Sequence, residues 1–269
     1  MTNNLRDDEL EITALKSAGF VYLDNRSKVQ KGDLVIARYS CWPFYNEYVN
    51  EIEYLGGSPI NTVAQHDYIC DVQNWVTDLK ELTPLTWRKI EDIPSEESGP
   101  FVLKGGTNSR KGLWKTHMWA QNKEEAIKVY FNLLNDSLIG QQPIYIRKFM
   151  PLYTYYHDVV GMPVTKEFRF FICDRTILCG AYYWSSHIDE LSTPPSISEV
   201  PNQFLQEVIS RIAKNSNAPR AYVLDVGIQE NGQPIVIELN DLQMSGLSEN
   251  DPFVFYKNLE AVLNTGNVE

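Results

Sequence analysis

Residues 221–241, AYVLDVGIQENGQPIVIELND, read as two apolar runs on either side of Asn231-Gly232. Asn-Gly is the strongest short hairpin signal, because a type I′ turn needs positive φ at both central residues. A two-residue loop places Asp225 opposite Glu238 and Gln229 opposite Pro234. The second pair checks the register: at a non-hydrogen-bonded position Pro234, which has no N–H, costs the ladder nothing. Counting on by twos, Asp225 and Glu238 form a pair of the closer kind, with Cα atoms about 4.5 Å apart. Asn240 shares their face. The opposite face is expected to carry Leu224, Val226, Ile228, Ile235, Ile237 and Leu239, an apolar layer fit to cover a core.

Two carboxylates that close repel and raise one another's pKa unless a cation lies between them. Asp225, Glu238 and Asn240 offer oxygen ligands with no Cys or His. Such a set suits a hard ion such as Mg²⁺ that keeps waters and shares phosphate oxygens. The hairpin alone leaves two readings open, a cation site or the solvated polar face of an amphipathic ribbon.

The surrounding composition is that of a globular protein, with 43% hydrophobic and 22% charged residues in 269. A formal net charge of −11 argues against a general nucleic-acid binder, which usually carries a basic excess. The N-terminal stretch MTNNLRDDELEI is acidic and unlike a signal peptide, and no apolar run approaches a membrane span. A cytoplasmic protein with no membrane partner is expected. Cys41, Cys70, Cys173 and Cys179 show no metal-ligand spacing and read as buried thiols. His66, His117, His157 and His187 are scattered and read as structural or surface residues.

Ahead of the hairpin, residues 5–18 predict a helix, with a strand at 20–23 and a buried strand at 32–40. Two more helical faces follow, Tyr45, Tyr48, Ile52 and Leu55, then Val72, Trp75, Val76 and Leu79, with a short strand at 59–61 between them. This alternation suggests a small α/β lobe with a parallel sheet. Arg38, Tyr39 and Trp42 then lie beyond a strand's carboxyl end, at a candidate substrate cleft, with a surface salt bridge as the other reading of Arg38. FVLK (Phe101–Lys104) predicts a strand running into GGTNSRKGLW, with Gly105, Gly106, Gly112, Arg110 and Lys111. Glycines let backbone N–H groups approach a phosphate and the basic residues add charge, though by themselves the letters favour a surface hairpin loop. KEEAIKVYFNLL is an amphipathic helix with Ala126, Val129, Tyr130, Leu133 and Leu134 expected inward. PIYIRKFMPL is a strand, and KEFRFFICDRTILCGAYYW a second hairpin about Asp174-Arg175, with Glu167 and Arg169 on its polar face. Helices are expected at PNQFLQEVISRIAKN and, after Met244-Ser245-Gly246, from about Pro252.

In this order, Lys104 with its glycine loop, the strand Ile144–Phe149, Arg169 and the Asp225…Glu238-Leu-Asn240 hairpin resemble an ATP-grasp protein. The EFR strand and D-x₁₂-E-x-N spacing are similar to the cell-division-cycle type proteins that assemble translation initiation factor 2. They are equally similar to bacterial and phage ATP-grasp ligases. The resemblance implies an α+β and α/β chain in which two α+β lobes close on ATP, preceded by a small α/β pre-grasp lobe. The lobes are expected at 1–88, 89–150 and 151–269. It also implies that Lys104 contacts the ATP phosphates and that Arg147, Lys148 and Phe149 line the adenine and ribose pocket. Arg169 would face the γ-phosphate or an acyl phosphate, and Asp225, Glu238 and Asn240 would hold Mg²⁺. Family members often carry an acidic ribose ligand on the inter-lobe strand, where this chain has Arg147-Lys148.

The activity implied is a Mg²⁺–ATP-dependent ligase joining a carboxylate to an amine-type acceptor, an amino acid, peptide or protein, through an acyl phosphate. Lys104 and Arg169 would be its catalytic charges. The resemblance leaves two alternatives open, an ATP-bound assembly chaperone and a small-molecule kinase.

Overall fold

The structure, a computed structural model, describes residues 7–193, 195–243 and 245–265. Leu5 and Arg6 of the expected first helix, and Met244, lie outside the described residues. The N-terminal part runs α1 (Asp7–Ser17), β1 (Leu34–Val35), α2 (Tyr45–Tyr54), β2 (Ser58–Pro59), α3 (Val63–Cys70) and α4 (Val72–Trp75). β1 and β2 pair in parallel. The expected strand at 32–40 shrinks to two residues because its one partner is equally short, and no strand forms at 20–23. The helix expected over Val72–Leu79 is the four-residue α4, which starts from Asp71. Its side chain accepts the Gln73 N–H at 2.9 Å and so caps a new helical turn.

Next come β3 (Thr86–Trp87), β4 (Phe101–Gly105), β5 (Trp119–Ala120), α5 (Lys123–Leu134) and β6 (Ile144–Lys148). They make an antiparallel sheet of order β3-β6-β4-β5, which begins just ahead of residue 89. Asn122 caps α5 by accepting the Glu125 N–H, and the helix buries Ala126, Val129 and Leu133 against Phe101, Leu103 and Ile146. Leu134, expected inward, is 44% exposed because it falls past the edge of that stripe.

The C-terminal part holds β7 (Thr154–His157), β8 (Pro163–Thr165), β9 (Glu167–Cys173), β10 (Thr176–Tyr182), α6 (Asn202–Ile212), β11 (Ala221–Ile228), β12 (Pro234–Asn240) and α7 (Pro252–Thr265). The second large sheet is antiparallel, β10-β9-β11-β12. Its β9–β10 turn has positive φ at both Asp174 (46°) and Arg175 (65°), as a type I′ turn requires. One face, with Phe168, Phe170, Leu224, Val226, Val236 and Leu239, packs on α6 and on Trp75 and Leu79. The other face is divided: Phe171, Cys173 and Val223 pack on Phe255 and Leu259 of α7, whereas Glu167, Arg169 and Asp225 face away from that cluster. Period-two alternation along β9 places Glu167 and Arg169 on the same side as Phe171 and Cys173.

The β11–β12 register corrects the two-residue loop. Gln229 N–H donates to Gln233 O at 2.9 Å and Gly232 N–H to Gln229 O at 2.8 Å, leaving three loop residues with Gly232 at φ 81°. That is a turn closed by a left-handed glycine bulge. Pro234 therefore faces Ile228, not Gln229. It still costs nothing, since the Ile228 N–H turns the other way, to Lys166 O. A second bulge follows. Val226 pairs with Val236 but Asp225 with Glu238, so Ile237 is the extra residue and the two irregularities cancel. Val236, in place of the expected Ile235 and Ile237, joins the apolar layer. Ile237 lies instead beside Gly227 on the side of Asp225, where a Cβ on the glycine would meet its Cδ1 at 3.1 Å.

Candidate active site

Asp225 of β11 lies directly across from Arg169 of β9, and its two oxygens accept from Nε at 2.9 Å and Nη2 at 2.8 Å. Asn240 Nδ2 donates to the same carboxylate at 2.8 Å, and Arg169 Nη1 to Gly246 O at 3.0 Å. Glu238, opposite Asp225, accepts from Lys104 Nζ. Lys104 belongs to β4, so this ion pair bridges the two large sheets. Burial pushes the Glu238 pKa up, but Lys104, Lys111 and Arg147 together outweigh it and the net shift is downward. The two facing carboxylates are thus each met by a protein cation.

Lys104, Arg169, Glu238 and Asn240 line a polar cavity of about 610 Å³ roofed by the 107–113 loop. Next to it, sharing Lys104, Lys111, Tyr183 and Glu238, lies a slot of about 160 Å³ whose walls include Val102, Met118, Phe149, Met150, Met162 and Ile237. The sequence-predicted residues Lys104, Arg147, Lys148, Phe149, Arg169, Asp225, Glu238 and Asn240 therefore border one continuous cleft. They differ in how free they are. The Arg147 guanidinium donates to Thr83 Oγ1 at 2.8 Å, Thr86 Oγ1 at 3.2 Å and Ile237 O. Lys148 pairs with Glu97 at 2.9 Å, and the Phe149 ring stands edge-on to Trp119 at 4.8 Å.

Asp225, Glu238 and Asn240 present oxygen donors only, the set a hard dication takes. Glu238 Oε2 and Asn240 Oδ1 make no hydrogen bond among the described residues, so donor capacity remains. On this chemistry the residues fit Mg²⁺.

Sequence does not single out Lys111 from its neighbours. Its Nζ donates to the Tyr183 hydroxyl and lies 4.2 and 4.5 Å from the Tyr183 and Trp184 ring centroids, inside the cleft. Burial lowers its pKa, but Tyr183 and Glu167 raise it further, so the ammonium keeps its proton. Arg110, next in the chain, is instead clamped by Asp136 at 2.7 Å on both nitrogens. Nothing in two adjacent basic letters tells which one turns inward. Arg38, expected at a substrate cleft, pairs with Glu11 at 2.7 Å and donates to Leu242 O and Ser245 O. It ties the N-terminal part to the segment after β12. The histidines are not all scattered either: His66, Cys70 and Asp241 come together beside Asn240.

A family model of the ATP-grasp domain, the third family of its clade, matches residues 91–259. The chain belongs to this ATP-grasp family. Solved ATP-grasp structures share its fold. A RimK domain protein from Sphaerobacter thermophilus is 16% identical with a TM-score of 0.58, over 97% of this chain and 98% of that one. The D-cycloserine synthetase DcsG is 13% identical with a TM-score of 0.61, over 96% and 95%. The ATP-grasp ligase PsnB, complexed with minimal precursor, Mg and ADP, is 9% identical with a TM-score of 0.56, over 98% and 95%. No curated protein sequence matches. Among the described residues of this ATP-grasp chain, no helix is long and apolar enough to cross a membrane.

Proposed function

We propose that this ATP-grasp chain is a Mg²⁺–ATP-dependent ligase that joins a substrate carboxylate to an amine-type nucleophile of an amino acid, peptide or protein. The observation that supports it is the meeting of Lys104 and Arg169, from the two facing sheets, with Asp225, Glu238 and Asn240 in one cleft beside an apolar slot. In this reading Asp225, Glu238 and Asn240 hold Mg²⁺, which when bound offsets phosphate charge. Lys104 and Lys111 bind the phosphates, and Arg169 fixes the Asp225 carboxylate while facing the transferred group. The slot takes the adenine between Val102, Phe149 and Met162.

The substrate carboxylate attacks the γ-phosphorus and ADP leaves. The amine then attacks the acyl carbon and phosphate leaves. Among the described residues no cysteine or histidine lines the cleft, and in this reading the chain's part is positioning and charge stabilisation. Three relatives in fold carry names consistent with such chemistry. They are DcsG, PsnB, and the D-alanine–D-alanine ligase of Bacillus anthracis complexed with ATP, 15% identical with a TM-score of 0.53 over 81% of this chain and 73% of that one.

The test is ADP release by the purified chain against paired amino acids and peptides, with hydroxylamine as an alternative acceptor. A ligase releases ADP only with both co-substrates and yields a hydroxamate when hydroxylamine replaces the amine. Tight ATP binding without turnover would instead indicate an assembly chaperone, and a phosphorylated product stable to hydroxylamine a kinase. Absence of Mg²⁺-dependent ATP binding would overturn the nucleotide assignment itself.

A further inference from the structure

We propose that His66, Cys70 and Asp241 form a binding site for a zinc-class transition-metal ion, distinct from the Asp225–Glu238–Asn240 cluster. His66 and Cys70 lie one turn apart on α3, hence on one helical face, and Asp241 is the residue after β12. His66 Nδ1 is 2.9 Å from Asp241 Oδ2 and 3.8 Å from Cys70 Sγ, and one donor atom of each residue falls within 4.8 Å of the others. Donors on one tetrahedral zinc, with bonds of about 2.0–2.3 Å, stand about 3.3–3.8 Å apart. His66 Nδ1 and Asp241 Oδ2 are inside that spacing, and Cys70 Sγ is at its upper end from Nδ1.

Two simpler accounts fit less well. A nucleophile–base pair needs the sulfur in line with one ring nitrogen, which would leave the other nitrogen much farther away. Sγ is instead at similar distances from both, 3.3 Å from Nε2 and 3.8 Å from Nδ1, in line with neither. A plain His–Asp hydrogen bond would satisfy Asp241, yet Oδ2 is buried without a hydrogen bond among the described residues despite the 2.9 Å approach. Gln243 Oε1, two residues on, is likewise buried and unbonded. Orphaned buried acceptors are rare, and an ion is one of the partners that explains them.

The supporting contacts are those of a metal site. Asp241 Oδ1 accepts the Gln243 N–H at 3.0 Å, which aims Oδ2 at the imidazole. The Tyr45 ring stacks on the His66 ring at 3.7 Å and 7°, and its hydroxyl is anchored on Asn61 O at 2.8 Å. Such outer contacts orient the ligands. Imidazole, thiolate and carboxylate suit zinc and leave a fourth position open, whereas the sulfur disfavours Mg²⁺. Burial and the nearby carboxylates keep the free Cys70 thiol protonated, so binding releases its proton to solvent. Occupancy pins α3 to the residue that follows Asn240.

The test is titration of the metal-stripped full chain with Co²⁺. One Co²⁺ per chain, a sulfur-to-cobalt charge-transfer band displaced by Zn²⁺, and loss of that band in Cys70→Ser but not Cys179→Ser are expected. Co²⁺ at Asp225, Glu238 and Asn240 would give no such band, since no sulfur is present there. A wild-type titration without the band, or a band that persists in Cys70→Ser, overturns the proposal. Zn²⁺ should also raise the wild-type Tm and leave that of Cys70→Ser unchanged; an equal rise in both overturns it too.

Discussion

Arg169 and Asp225 face each other on neighbouring strands, and the guanidinium closes a two-point hydrogen bond on the carboxylate at 2.9 and 2.8 Å. Both are buried, at 8% and 2% exposure. Removing one partner of such a pair leaves the other charge without compensation, at a cost of about 3–5 kcal/mol. Asp225→Asn should therefore lower Tm as well as abolish Mg²⁺-dependent ATP binding. Arg169→Met combined with Asp225→Leu should recover much of the Tm while binding stays lost. Thermal melts and nucleotide titrations on the two variants check this, and a double variant no more stable than the single one would contradict it.

Glu238 supplies a pH dependence with a defined sign. Burial raises its pKa, Lys104 with Lys111 and Arg147 lowers it more, and the folded value lies below the ordinary 4.5. A carboxyl whose pKa is depressed on folding stabilises the protein above its unfolded value, and that stabilisation is lost as pH falls through the folded value. Tm should hold above pH 4.5 and decline below it. Glu238→Gln, which strands Lys104 without its partner, should melt lower at neutral pH and show a shallower acid decline. Parallel acid slopes in the two proteins would remove Glu238 as their source.

Much of this site follows from strand periodicity. Arg169 and Asp225 fall on one face because they pair directly across β9 and β11, and Glu238 joins them across β12. The Asp225–Glu238 pairing follows even from a turn one residue too short, because the Ile237 bulge restores what the Gly232 loop removes. The apolar slot is not legible in the letters. Val102, Met118, Phe149, Met162 and Ile237 come from separate segments, and each letter is the same as a core residue's. The His66–Cys70 spacing is one helical turn, a signal too short to notice until folding brings Asp241 beside it.

Lys111 separates the roles of the two basic residues in the glycine loop. Its ammonium sits in the cleft on Tyr183, whereas Arg110 is committed to Asp136 at the surface of the loop. A hydrogen bond to a charged group is worth about 1.5–3 kcal/mol. Lys111→Met should weaken ATP binding roughly 10- to 100-fold, by that same free energy. Arg110→Met should change Tm more than nucleotide affinity. Calorimetric titration of both variants decides it, and equal affinity losses would mean the loop acts as one unit.

Arg147 holds the bulge that keeps Glu238 in place. Its guanidinium spans Thr83, Thr86 and the carbonyl of Ile237, joining the β3–β6 side of one sheet to the irregular residue of β12 in the other. Burial lowers its pKa from 12.5 to about 10, so it stays charged at neutral pH. A lysine carries the same charge but cannot present a planar fork to three acceptors. Arg147→Lys leaves at least one buried acceptor unsatisfied, at about 1–3 kcal/mol. It should lower Tm and, by loosening Ile237, shift Glu238 enough to weaken Mg²⁺-dependent ATP binding without altering any proposed ligand. A variant with reduced Tm and wild-type ATP affinity would show that the clamp supports the fold alone, because the Glu238 geometry would then be independent of the bulge.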